Sequence, residues 1–120
     1  MKEELKRRTK KIGLEVIALI DHLPNKPSGW AIGKQIVRSA TSIGANYRAA
    51  CRAKSTADFI YKLKIVEEEA DETTFWLEMI EEAGLLPPER IVSIKRETHE
   101  VLSILVSSIK ALKAKNIPKP

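Results

Sequence analysis

Between Glu3 and Leu23 the apolar residues Leu5, Ile12, Val16, Leu19, Ile20 and Leu23 keep to steps of three and four, the spacing of one face of an α-helix. The pattern predicts a first helix over about 3–23. Pro24-Asn25-Lys26-Pro27-Ser28-Gly29 then breaks it with two prolines and a glycine, with Ser28 placed to cap the next helix. A second periodic run, Trp30, Gly33, Val37, Ala40, Gly44 and Tyr47 with Ile36 and Ile43 beside it, predicts a helix over about 29–53. Gly33, Ser39, Ala40, Ser42, Gly44 and Ala45 lie on or near its inner side. Because a helical glycine costs about 1 kcal/mol relative to alanine, two of them imply close approach by another helix.

Ser55-Thr56-Ala57-Asp58 has the form of a helix start, with a capping hydroxyl and an acid near the positive helix end. Phe59, Leu63, Val66, Ala70, Thr73, Leu77 and Ile80 continue as a core face to Gly84, a C-terminal cap. This is the third helix, about 56–83. After Leu85-Leu86-Pro87-Pro88, the residues Ile91, Ile94, Thr98, Val101, Leu105 and Leu112 carry a fourth over about 88–115, with Pro88 at a first helical position. Residues 116–120 should fray. Four helices joined by short breaks give a single all-α domain, an antiparallel up-down-up-down four-helix bundle. In the fourth helix, Val101 to Ile109 is apolar over more than half its circumference, wider than a monomeric bundle needs. Either this surface meets another subunit or the basic N-terminal segment covers it.

Composition narrows the class. Hydrophobic residues make up 43% and charged residues 31% of 120, which excludes a disordered chain. The most apolar stretch, Val101 to Leu112, is too short and too polar to cross a bilayer, and no secretory signal is recognisable, so the expectation is a cytoplasmic protein without membrane attachment. Cys51 is the single cysteine, so no internal disulfide forms. The net charge of +5 is unevenly spread: Lys2, Lys6, Arg7, Arg8, Lys10 and Lys11 crowd the first segment, further cations occur from Lys34 to Lys64, and acids then arrive between Glu67 and Glu82. A basic surface of this kind suits nucleic acid.

Gln35, Arg38, Ser39, Ser42 and Asn46 form a polar stripe beside the apolar face of the second helix. A hairpin around Lys54 places Arg38 level with Asp71 and Glu72, and Asn46 near the turn from Phe59 to Leu63. The stripe reads either as a ligand site or as a hydrogen-bonded seam that fixes helix register, and the seam, built from Gln35, Arg38, Ser42, Asn46, Asp71 and Glu72, is favoured.

Three segments in order, Gln35 through Ala50, Lys54-Ser55-Thr56-Ala57-Asp58-Phe59, and Glu69 through Glu72 to Phe75-Trp76-Leu77, resemble the four-helix-bundle proteins encoded in intervening sequences of bacterial 23S rRNA genes. The second and third helices carry the resemblance closely, the first and fourth by pattern. Ala49 departs from it where many members carry a glutamate. The resemblance implies a ring-like homopentamer and no established enzymatic activity. Related bundles that accompany diversity-generating retroelements imply binding of RNA or DNA and of a protein partner such as a reverse transcriptase. On that basis the cations to test are Arg7, Arg8, Lys10, Lys11, Arg48, Arg52 and Lys54.

The residues supply no catalytic constellation. Di-metal bundles need a Glu-x-x-His step on two helices, but Arg96 precedes His99 and Leu19 precedes His22 at that spacing. The five glycines make no phosphate loop, and no serine sits in a nucleophile elbow. Neither a metal nor a cofactor is expected, and the reading is a non-enzymatic binding protein.

Overall fold

The computed structural model describes residues 2–116. Helix α1 spans Lys2–Ile20, α2 Pro27–Ala50, α3 Thr56–Glu82 and α4 Val92–Asn116, with a single 3-10 turn at Pro88–Arg90. Residues 117–120, most of the segment expected to fray, lie outside the described residues. Each helix packs antiparallel on its neighbours in sequence, and α4 closes the bundle against α1. The result is an up-down-up-down four-helix bundle drawn out into a rod of 58 × 23 × 22 Å.

Local chemistry explains where the helices stop. Helix α1 ends at Ile20, three residues before the last apolar position of its stripe, and the chain tightens into turns, His22 N–H donating to Leu19 and Leu23 N–H to Ile20, before Pro24, which disfavours helical backbone at Leu23. Pro27 occupies the first turn of α2 and Lys26 is its N-cap without a side-chain bond, so Ser28 is not the cap; proline at that position needs none of the lost donors. In α3 the expected cap forms, Ser55 Oγ accepting from the Asp58 amide at 3.1 Å. At the other end Gly84 takes φ +69°, the Leu85 amide donates to the Ile80 carbonyl and the Gly84 amide to that of Glu81. This is a Schellman ending, which requires the left-handed conformation that glycine adopts without strain. Pro88 opens the 3-10 turn rather than α4.

The core runs the length of the rod: Ile12 and Val16 from α1, Ile36, Ala40 and Ile43 from α2, Leu63, Val66, Ala70, Leu77 and Ile80 from α3, Val101 and Leu105 from α4. Small residues set the α1–α2 distance. A methyl group on Gly44 would come within 3.2 Å of the backbone of Lys10, and one on Gly29 would strike the Pro24 carbonyl. Buried hydroxyls do not go unpaired. Thr9 and Thr98 donate to carbonyls one turn back at 2.7 and 2.8 Å, and Thr73 Oγ1 donates across the α2–α3 interface to Ser39 Oγ at 2.9 Å, as buried polar groups require.

The structure bears on two sequence expectations. The wide apolar arc of α4 is covered in part by α1, the N-terminal segment offered as one of its two possible covers, and in part by α3: Ile94, Val101, Leu105 and Ile109 are buried, Leu102, Ile104 and Leu112 are half-buried at the core margin, and Val92 and Val106 are its large apolar residues left exposed. The arc is wide because α4 touches both α3 and α1. Exposed apolar surface instead collects elsewhere, at Leu14 and Ile17 of α1, Trp30 of α2, and Tyr61, Phe75 and Met79 of α3. Trp30, which the periodicity places on the inner face, is 61% exposed and donates its indole N–H to Asn25 Oδ1 at 2.7 Å, because it sits in the first turn of α2, past the end of α1.

Candidate nucleic-acid interface

Antiparallel packing gathers charge that the linear sequence spreads out. The ends of α1 and α4 that meet near Leu5 and Leu105, the C-terminus of α2 and the N-terminus of α3 form one end of the rod. Residues 2–12, 42–68 and 105–116 make up this half; they hold fourteen of the 21 Lys and Arg but five of the 16 Asp and Glu. The other half, residues 13–41 and 69–104, holds six basic and eleven acidic residues, of which Glu97 and Glu100 lie at the boundary and reach Arg8 of the first half. The rod therefore has a basic pole and an acidic pole.

The seven candidate cations divide by what they touch. Arg7, Lys10 and Arg48 line one groove between α1 and α2, of about 650 Å³, together with the Lys6–Glu3 ion pair and with Leu14, Ile17, Thr41 and Ala45. Along this groove Gly13 and Gly44 let the two helix backbones come into close contact. Arg52 and Lys54 sit exposed at the α2–α3 turn, at the same pole. Arg8 does not join them. It turns toward α4, where Nε donates to Glu97 at 2.7 Å and a terminal nitrogen meets Glu100 at 3.0 Å. The hydrogen bond from Arg8 holds the Glu97 carboxyl below the usual carboxylate range, and the two acids raise the guanidinium further. Lys11 lies 3.8 Å from Glu15 on its own helix. Arg8 and Lys11 thus belong to the α1–α4 side, and Arg8 is a structural cation.

None of Arg7, Lys10, Arg48, Arg52 or Lys54 forms an ion pair with a described side chain. The same holds for Lys64 of α3 and for Lys110, Lys113 and Lys115 near the end of α4. The sequence pattern does not single out these four, since only the antiparallel topology brings the C-terminal lysines to the N-terminal pole; their one sign in the sequence is unbalanced charge.

Of the expected polar seam, Arg38 and Glu72 make the contact between α2 and α3, joined by Glu69, and the other members do not cross. Arg38 pairs with Glu69 at 3.0 Å and with Glu72, and Trp76 donates to Glu72 at 3.3 Å. Both acids push the guanidinium above its ordinary value, Glu72 most. Asp71 is exposed on the outer stripe of α3, a rotation of about 100° from Glu72, so it is not part of the seam. Gln35 is exposed. Asn46 donates to the Ser42 carbonyl of its own helix at 2.9 Å rather than reaching α3. The interhelical bond that sequence reasoning missed is Ser39 to Thr73, the two small hydroxyl residues that face each other in the core.

The sequence and the fold match a known family. The sequence profile of the 23S rRNA-intervening sequence protein family covers residues 2–107. The chain belongs to that family. It is also similar, at 39% identity and a TM-score of 0.82, to a solved structure of a protein with unknown function from the S23 ribosomal protein family of Bacteroides thetaiotaomicron, the match covering 88% of this chain and 98% of that one. No curated protein matches. Within this family's fold, no helix among the described residues is long and apolar enough to cross a membrane, and no group of three metal-ligating side chains comes together among them.

Proposed function

We propose that this member of the 23S rRNA-intervening sequence protein family is a non-enzymatic, oligomeric protein that binds RNA or DNA through its basic pole. The observation that carries the reading is the segregation of charge: cations without ion-pair partners, from all four helices, share one end of the rod. Such cations repel one another in the free protein, and a phosphate backbone relieves that repulsion while releasing its own counterions. Oligomerisation, to a pentamer on the resemblance, is supported by Phe75 and Met79, large apolar side chains left 50% and 39% exposed on α3, away from the basic groove.

Filter binding of a 20-nucleotide RNA and of a DNA of the same sequence, at salt from 50 to 300 mM, tests the reading. Affinity should fall steeply and log-linearly with salt; no binding at 50 mM, or binding indifferent to salt, contradicts it. A second reading, an adaptor that holds a protein partner such as a reverse transcriptase, is favoured by the acidic pole, where Phe75 stacks edge-on to Trp76 at 5.0 Å beside Glu72. Co-purification from the native host that survives nuclease treatment supports the adaptor.

A further inference from the structure

Three aromatic rings stand more than half clear of the bundle or at its half-way mark: Tyr61 at 64%, Trp30 at 61% and Phe75 at 50%. Two of them are engaged. Trp30 is tied to Asn25 through its indole N–H, and Phe75 packs against Trp76 near the seam acids. Tyr61 is in neither situation and lies at the basic pole, on the second turn of α3. Lys64 stands one turn further along the same outer stripe, and Arg52 and Lys54 precede the helix.

Helices α3 and α4 pack together, and exposed Lys64 and Lys113 lie close enough across that packing for their charges to act on each other. Lys64 holds Lys113 below the ordinary lysine range, with Glu67, one turn along α3, the acid that offsets this. Neither lysine is ion-paired with a described residue. A pair of like charges brought together in this way is relieved by an anion between them.

An exposed ring beside cations that crowd one another is the pairing that single-stranded nucleic acid uses: unpaired bases stack on aromatic faces while lysines follow the phosphates. A duplex offers phosphates but keeps its base faces inside the stack, so it makes no use of the ring. We infer that Tyr61, with Lys64 and Lys113, forms a stacking and phosphate site at the basic pole that selects single-stranded over double-stranded nucleic acid. The inference rests on the nucleic-acid reading above and names its substrate class. Sugar type is left open by this chemistry, since a base face and a phosphate are common to RNA and DNA.

The full chain is titrated with a 20-nucleotide RNA, the DNA of the same sequence, and that DNA annealed to its complement, at 50 mM salt. The expected result is at least tenfold tighter binding of both single strands than of the duplex. Tyr61→Ala should weaken the single strands by roughly 5- to 100-fold and the duplex by less than twofold, while Tyr61→Phe, which keeps the ring, binds like the parent. Lys64→Gln with Lys113→Gln should weaken all three ligands and flatten the salt dependence by about one to two phosphate contacts. Because Tyr61 is exposed on a helix, its alanine variant should melt with the parent. Equal or tighter binding of the duplex, or a Tyr61→Ala loss that is the same for duplex and single strands, overturns the inference while leaving nucleic-acid binding intact. No binding of any of the three at 50 mM overturns both.

Discussion

Arg8 and Arg7 are neighbours in sequence and opposites in circumstance. Arg8 is largely buried against α4 and is held by Glu97 and Glu100; Arg7 borders both the α1–α2 groove, with Lys10 and Arg48, and the α1–α4 cleft, where its charge reaches Glu97, but it forms no ion pair with a described side chain. Arg38, in the α2–α3 seam, repeats the first situation with Glu69 and Glu72. The seams between helices thus commit each arginine to two carboxylates, which fixes rotation and register, whereas the basic pole leaves its cations uncommitted. A cation that holds the fold and a cation available to a ligand are the same letter in the sequence, and the difference lies in what the neighbouring helix places opposite.

Substitutions on the two sides of this comparison should separate cleanly. The largest effect is expected at the pole. Arg7→Ala, Lys10→Ala and Arg48→Ala together should weaken RNA or DNA binding by more than tenfold at 100 mM salt and reduce the slope of log affinity against log salt by about 2 to 3, with no loss of melting temperature, as read by filter binding and circular dichroism. Arg8→Ala should do the reverse. It leaves two carboxylates facing each other without their cation, and should cost about 1–3 kcal/mol in urea unfolding with affinity changed by less than about twofold.

The Arg8 contact also makes a pH prediction. Because the folded-state pKa of Glu97 is depressed below that of the unfolded chain, its stabilisation is present above the unfolded carboxylate value of about 4.3 and is lost as pH falls through the lower folded value. The stability gap between parent and Glu97→Gln should therefore be widest at neutral pH and close on acidification below about pH 4, measured by thermal melts across pH 2.5–7. The smallest effect is expected at Ser55. Its hydroxyl caps α3 inside the basic pole but carries no charge, so Ser55→Ala should cost about 1 kcal/mol and leave nucleic-acid affinity unchanged.

The four helices were legible because their signals are local. Ser55, Gly84 and the paired prolines mark ends, and the three-and-four spacing of Ile12, Val16, Ile36, Ile43, Leu63 and Val66 marks the buried faces. What needed the structure was alignment between helices. Placing the α2–α3 hairpin midpoint at Lys54 sets Arg38 opposite Asp71 and Glu72; the true register brings Glu69 and Glu72, which share the α2 side of α3, and rotates Asp71 into solvent. The same limit applies to Trp30, where periodicity is correct but α1 has already ended, and to the apolar arc of α4, which serves two neighbours at once. Among the candidate cations, Arg7, Lys10, Arg48, Arg52 and Lys54 share the pole, Arg8 and Lys11 are turned to carboxylates, and Lys64 and Lys113 enter only when α4 is laid beside α3.

Hydrogen exchange of the full chain with and without a saturating 20-nucleotide single strand tests most directly whether the uncommitted pole is the binding surface. Slowed exchange confined to peptides from residues 2–12, 45–66 and 106–116, with the acidic segment from Glu69 to Glu82 unchanged, is the predicted result. Protection centred on Phe75 to Glu82, or no protection at a concentration where filter binding is saturated, contradicts it.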